Sequence, residues 1–167
     1  AEDRRALGFI ELDREDFAKA REYIGQALEM FQSLKIGAFE GDTWLVLGLA
    51  LEGLDDQIKA KHAYEHAQLR HKEINNEAGV IEARAGIARC LLAEDNPDDA
   101  KAEIDECLTW MEPHGGLGIN DPARLYLAAR QILETAGDAK GAAKAKESGQ
   151  TFIRHRAEKI SDLGLRA

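Results

Sequence analysis

The sequence predicts an all-α solenoid of about four antiparallel helix pairs, on three observations. Apolar residues recur at helical spacing and strand signals are nearly absent, with only 3 prolines in a chain rich in Ala, Leu, Glu and Lys. A small-and-large pattern returns every 40 positions: Leu7-Gly8, Leu47-Gly48 and, softened, Ile87-Ala88. Midway through each unit stands an acidic turn, DRED at 13–16, GLDD at 53–56 and EDNPDD at 94–99.

The first helix of each unit runs through the Leu-Gly position. In the turn that follows, Asp and Asn side chains accept hydrogen bonds from the free N–H groups that open the second helix, and Pro97 suits a first helical turn. The second helix carries Ala20, Ile24 and Ala27, then Ala60, Tyr64 and Ala67, then Ala100, Ile104 and Cys107, spaced four and three apart and so on one face. Gly48 stands inside the first helix of its unit at a cost of about 1 kcal/mol relative to alanine. Close approach of the neighbouring helix, helped by the small Ala60 and Ala67, offsets that cost; the alternative is a kink or hinge at Gly48. A fourth unit follows the break EPHGGLGINDPA, with Gly137 at the turn position of Glu15 but two residues late. There Ala142 fits the small position, while Lys146 and Gly149 fall where Ile24 and Ala27 stand, as in a degenerate terminal repeat. The repeats are 1–36, 37–76, 77–114 and 119–162 of a single domain, 1–167.

Composition narrows the function. With 31 acidic against 22 basic residues the net charge is −9, opposite to the basic face that phosphate tracking needs, so nucleic acid is not the expected ligand. No stretch is long and apolar enough to span a bilayer and no secretory signal opens the chain, which makes a cytoplasmic location the expectation, without membrane partners. The start at Ala1, already helical in pattern, is expected either from a piece of something longer or from removal of an initiator methionine. Cys90 and Cys107 are too few for a disulfide framework and are expected to be reduced and packed.

At Trp44, Leu47, Gly48, Leu51, Ala60, Tyr64 and Ala67 the sequence resembles a tetratricopeptide repeat, matched in part by Leu7, Gly8, Ala20, Ile24 and Ala27 and loosely by the third unit. Arg4 and Arg84 replace Trp44, the closing proline is missing, and the unit is 40 residues where about 34 is usual. The resemblance implies a right-handed superhelical solenoid whose first helices line a concave, partner-binding side. The longer unit, with DPARLYLAARQILETAGD and RHRAEKISD, also resembles the C-terminal arms of bacterial STAND-type signalling ATPases, adenylate cyclases and transcription activators.

Signals for chemistry are weak. His62 and His66 stand one helical turn apart but lack the metalloprotease pattern, and they are expected to point to solvent. GGLG, 115–118, lacks the Lys and Ser/Thr of a phosphate loop and reads as a flexible connector. No catalytic residue, metal site or cofactor is expected. What remains is a surface just off the Leu-Gly stripe: Arg5, Phe9 and Leu12; Leu45, Leu49 and Glu52; Ala85, Arg89 and Leu92; Leu127, Gln131 and Glu134. WLVLGLAL is apolar all round, which leaves Leu45 and Leu49 either on a groove floor rimmed by Arg5, Glu52 and Arg89 or buried by curvature of the array. The expected function is a non-enzymatic scaffold for a protein or peptide partner, the sensing or assembly arm of a larger signalling protein. Two rivals stand beside it. One is a metabolite sensor acting on a linked ATPase; the other is a homo-oligomerisation module joined through Leu7, Phe9, Ile10 and Leu12 or through Phe152, Ile153, Ile160 and Leu163.

Overall fold

The computed structural model describes residues 1–34 and 37–159; Ile160 and Leu163 lie outside them. Among these residues there are eight α-helices and no strand: α1 (Glu2–Asp13), α2 (Phe17–Ser33), α3 (Glu40–Gly53), α4 (Gln57–Glu73), α5 (Glu77–Ala93), α6 (Pro97–His114), α7 (Pro122–Thr135) and α8 (Ala139–Glu158). A single 3-10 turn, Gly37–Phe39, precedes α3. Each helix packs on the next, and the odd-numbered helices α1, α3, α5 and α7 also pack in succession on one another. The fold is an all-α solenoid of four antiparallel pairs. None of the described helices is long and apolar enough to cross a membrane.

One turn closes every pair. The residue after the helix cap adopts a left-handed conformation: Glu15 (φ 59°), Asp55 (60°), Asp95 (58°) and Gly137 (80°). This bends the chain so that the N–H of Asp16, Asp56, Asn96 or Asp138 reaches the carbonyl of Glu11, Leu51, Leu91 or Leu133, at 2.8–3.0 Å, the six-to-one bond that satisfies helix-end carbonyls. The side chain of the same residue then caps the next helix by accepting from the backbone N–H of Lys19, Lys59, Asp99 or Gly141. Asn75 (φ 55°) and Asn76 repeat the device between α4 and α5. The α6–α7 connector differs: Gly115 ends α6 at φ 59°, Gly116 and Ile119 are buried, and a Cβ on Gly118 would stand 3.0 Å from that of Ala78. It is packed against the array and is not the free linker expected for GGLG.

Gly48 does lie where α4 comes close, but what fills its place is an aromatic ring. A Cβ there would stand 2.5 Å from the Tyr64 ring, and one on Gly86 of α5 would stand 2.6 Å from the same ring on the other side. Small-on-small contact with Ala60 and Ala67 is therefore not the reason for the glycine; those alanines are fully buried, but the slot belongs to Tyr64. Two turns along α4, Gly41 and Gly79 clamp His71 in the same way, and Gly8 receives Ile24. The Arg4 and Arg84 replacements of Trp44 also have a structural counterpart. Position 44 stacks Trp44 on His66 at 4.6 Å between ring centroids, whereas Arg4 bonds Gln26 and Arg84 bonds Glu106 at 3.3 Å, so the partner 22 residues on changes with the first residue. Cys90 and Cys107 are free and buried, and burial pushes both thiols up to about 12.

The neutral His71 ring is held in one tautomer. Asn76 Oδ1 accepts from Gly79 N at 3.1 Å, so Asn76 Nδ2 faces His71 Nδ1, also at 3.1 Å, and donates to it. The ring proton then sits on Nε2, 3.6 Å from Asp42 Oδ1. Burial lowers the pKa of His71 below its ordinary 6.5, with Asp42 acting the other way. As pH falls through 6.5 the unfolded chain takes up this proton before the folded one does. Stability is therefore expected to be full above that value and to fall as pH drops towards the lower folded pKa; His71→Gln should flatten this loss in urea midpoints between about pH 7.5 and 5.5. The slots give a second test. Gly48→Ala overpacks Tyr64 at about 1–3 kcal/mol, more than the roughly 1 kcal/mol gained in helix propensity, and should lower the urea midpoint. Gly25→Ala, in α2 with nothing within 4 Å of the new methyl, should raise stability by up to about 1 kcal/mol.

Candidate functional site: the groove along the odd-numbered helices

The apolar-all-round helix α3 has one face that no second helix covers, and there a cavity of about 610 Å³ opens between α1, α3, α5 and the start of α7. Of the residues expected at the groove, Arg5, Phe9 and Leu12 of α1, Leu45 and Leu49 of α3, and Ala85 and Arg89 of α5 all line it. Leu45 is only 7% exposed and belongs to the core as well as to the floor, so the two alternatives for it are not exclusive; Leu49 is half-buried.

Five expected residues lie elsewhere. Glu52 is not rim but sits beneath the floor, where Arg89 claims its carboxylate, and Leu92 packs on the core outside the cavity. Leu127 is 62% exposed, Gln131 is exposed, and Glu134 is exposed and bonded to Arg130 at 2.9 Å. These three α7 positions lie outside the cavity. Instead α7 enters by its first turn, with Asn120, Asp121, Arg124 and Leu125 lining the cavity. That entry is fixed by Glu82 of α5, which accepts from Asn120 N at 3.0 Å, Asn120 Nδ2 at 2.7 Å and Asp121 N at 3.3 Å. Burial pushes the Glu82 carboxyl up, against these hydrogen bonds.

Asp42 and Glu82 were not anticipated, although they stand 40 residues apart and one turn before Leu45 and Ala85, so the same period extended by a turn finds them. Nothing in the period marks Asn120 to Leu125. His62 and His66 are exposed, and among the described residues no group of three or more metal-binding side chains comes together.

Beneath the floor lies a closed polar network. Arg89 Nε and Nη2 donate to both oxygens of Glu52 at 3.0–3.2 Å, Nη2 donates to Tyr64 Oη at 3.0 Å, and that hydroxyl donates to Glu52 Oε2 at 3.0 Å. Burial works against the Arg89 charge, but Tyr64 and Glu52 outweigh it and hold its pKa above the ordinary value. Burial likewise pushes the Tyr64 phenol well up, so it stays a neutral donor. A buried pair that loses one partner strands the other's charge. Glu52→Leu alone is expected to cost about 3 kcal/mol in denaturant unfolding, and Glu52→Leu with Arg89→Leu clearly less than the sum of the two single changes.

No family model matches the chain, and no curated protein matches it. Among solved structures it is similar to BtubC (BKLC) from P. vanneervenii, with a TM-score of 0.73 at 16% identity over 95% of this chain. The match covers 65% of that chain, so this protein spans less than two thirds of its neighbour's length, and the likeness is one of fold.

Proposed function

We propose that the protein is a non-enzymatic interaction scaffold that docks a segment of a partner protein in the groove along α1, α3 and α5. The observation that carries this is the floor itself: successive first helices place Leu12, Leu45 and Leu49 on one continuous surface, and a closed network under Arg89 holds that surface in shape. An apolar floor with a polar rim is the form used to receive extended or helical peptides. The resemblance to tetratricopeptide repeats supports the same use of the concave side. The further resemblance to arms of STAND-type signalling proteins favours a cytoplasmic sensing or assembly role within a larger polypeptide.

One observation favours a second reading, a metabolite sensor: about 610 Å³ falls within the volume of small-molecule sites. Self-association through α1 is a third, supported by the exposure of Leu7, Phe9 and Ile10 at 40–45%. Leu49 is the suitable probe, since truncating the buried Leu45 would cost about 2–5 kcal/mol of stability by itself. Selection of displayed random peptides on the protein is expected to enrich sequences that bind the purified chain and lose binding to Leu49→Gln at unchanged melting temperature. Enriched peptides indifferent to Leu49→Gln, or none at all, would count against docking. A metabolite that raises the melting temperature in step with its concentration would favour the sensor, and a monomer at every concentration in light scattering would remove self-association.

A further inference from the structure

The groove has an apolar floor but an electronegative rim. Its three arginines already face carboxylates: Arg5 lies 3.9 Å from Asp42, Arg89 3.0 Å from Glu52 and Arg124 3.8 Å from Asp121. Asp13 and Glu82, which also line the cavity, have no cation within 4.0 Å among the described residues. With Arg89 and Glu52 paired beneath the floor, four lining carboxylates, Asp13, Asp42, Glu82 and Asp121, thus stand against two guanidinium groups, Arg5 and Arg124, in a chain whose net charge is −9. The imbalance is sharpest between α3 and α5. Glu82 is hydrogen-bonded only to uncharged donors, and the Asp42 carboxylate is near enough to disfavour its ionisation further. A cation set between these two would relieve both the burial of an unneutralised charge and the repulsion of its neighbour.

Along α3 the same face runs from Asp42 through Leu45 to Leu49. Seven residues of helix cover about 10 Å, the reach of roughly three residues of extended chain. We propose that the groove takes a basic and apolar peptide segment, in which a lysine or arginine seats its cation between Asp42 and Glu82 and an apolar side chain two or three residues away lies on Leu45 and Leu49. This rests on the docking function proposed above and gives it a partner class. An acidic segment would meet a rim whose arginines are already paired, and nucleic acid would meet the same repulsion.

The test uses labelled peptides of about eight residues, within the roughly 3–10 residues of ordinary strands, alternating leucine with lysine, glutamate or serine, and a lysine–serine control. In fluorescence polarisation the leucine–lysine peptide should bind wild type about tenfold tighter than the leucine–glutamate peptide, as expected for two charge contacts of about 0.7 kcal/mol each. Leu49→Gln should weaken it, and added salt should narrow the charge preference. Asp42→Lys should move the preference towards the leucine–glutamate peptide, an inversion that damage to the fold would not produce. Asp42→Asn should give an intermediate preference. If the glutamate or serine peptide binds wild type as tightly and that binding is still lost in Leu49→Gln, docking stands and the basic partner class is overturned. If no peptide responds to Leu49→Gln, the docking function itself falls and takes this inference with it.

Discussion

The array depends on rings set into slots where side chains are missing. Tyr64 projects from α4 into the angle between α3 and α5, and a backbone without a side chain meets it from both sides, at Gly48 and at Gly86. Seven residues on, His71 meets Gly41 and Gly79 in the same way. A spacing of seven returns each member to the same face of its helix, so the three helices are registered at two levels. The conformational penalty of four helical glycines is offset by burying two planar side chains, each at or below 1% exposure, between two backbones. Because the slot is shaped to the ring, it specifies spacing between adjacent pairs as well as within one.

The pairs themselves are made by a turn that uses one residue twice. Asp16, Asp56, Asn96 and Asp138 each close the helix behind through the backbone N–H and open the helix ahead through the side chain. No residue is left over to let the second helix swing away, which fixes the antiparallel hairpin. Three of the four left-handed positions are Glu15, Asp55 and Asp95 in place of glycine. Aspartate tolerates that conformation best among charged residues, and glutamate does so at a cost of about 1–2 kcal/mol.

Much of this was legible in the sequence because it is periodic. The 40-residue recurrence, the acidic turns and the Ala20, Ala60, Ala100 stripe predict helix pairs, and the offset of the concave positions predicts seven residues of the groove. Chemistry that breaks the period was not legible. Tyr64 was visible as core, but not as the occupant of Gly48, since a glycine does not say which neighbour fills it. His71 carried no signal: an imidazole near a helix end reads as surface, and only the distant Gly41 and Gly79 bury it. Glu52 reads as rim because it is charged and stands on the groove-facing side of α3, yet Arg89 and Tyr64 supply enough partners to draw it under the floor. The entry of α7 into the groove by its first turn is held by Glu82 on Asn120, a contact across 38 residues that no local pattern encodes, and Leu127, Gln131 and Glu134 stay exposed.

Tyr64 also connects the slot to the groove. Its ring spaces α3, α4 and α5, while its hydroxyl donates to Glu52 of α3 and receives Arg89 of α5. The same side chain therefore sets the distance between the two helices that carry the floor and ties their polar groups together beneath it. A floor so held has little freedom to remodel, so in the docking proposed above the ordering cost of association would fall mainly on the partner. Under that proposal shape would be settled before binding and selectivity would have to come from the rim, where Asp42 and Glu82 stand at equivalent positions of neighbouring repeats.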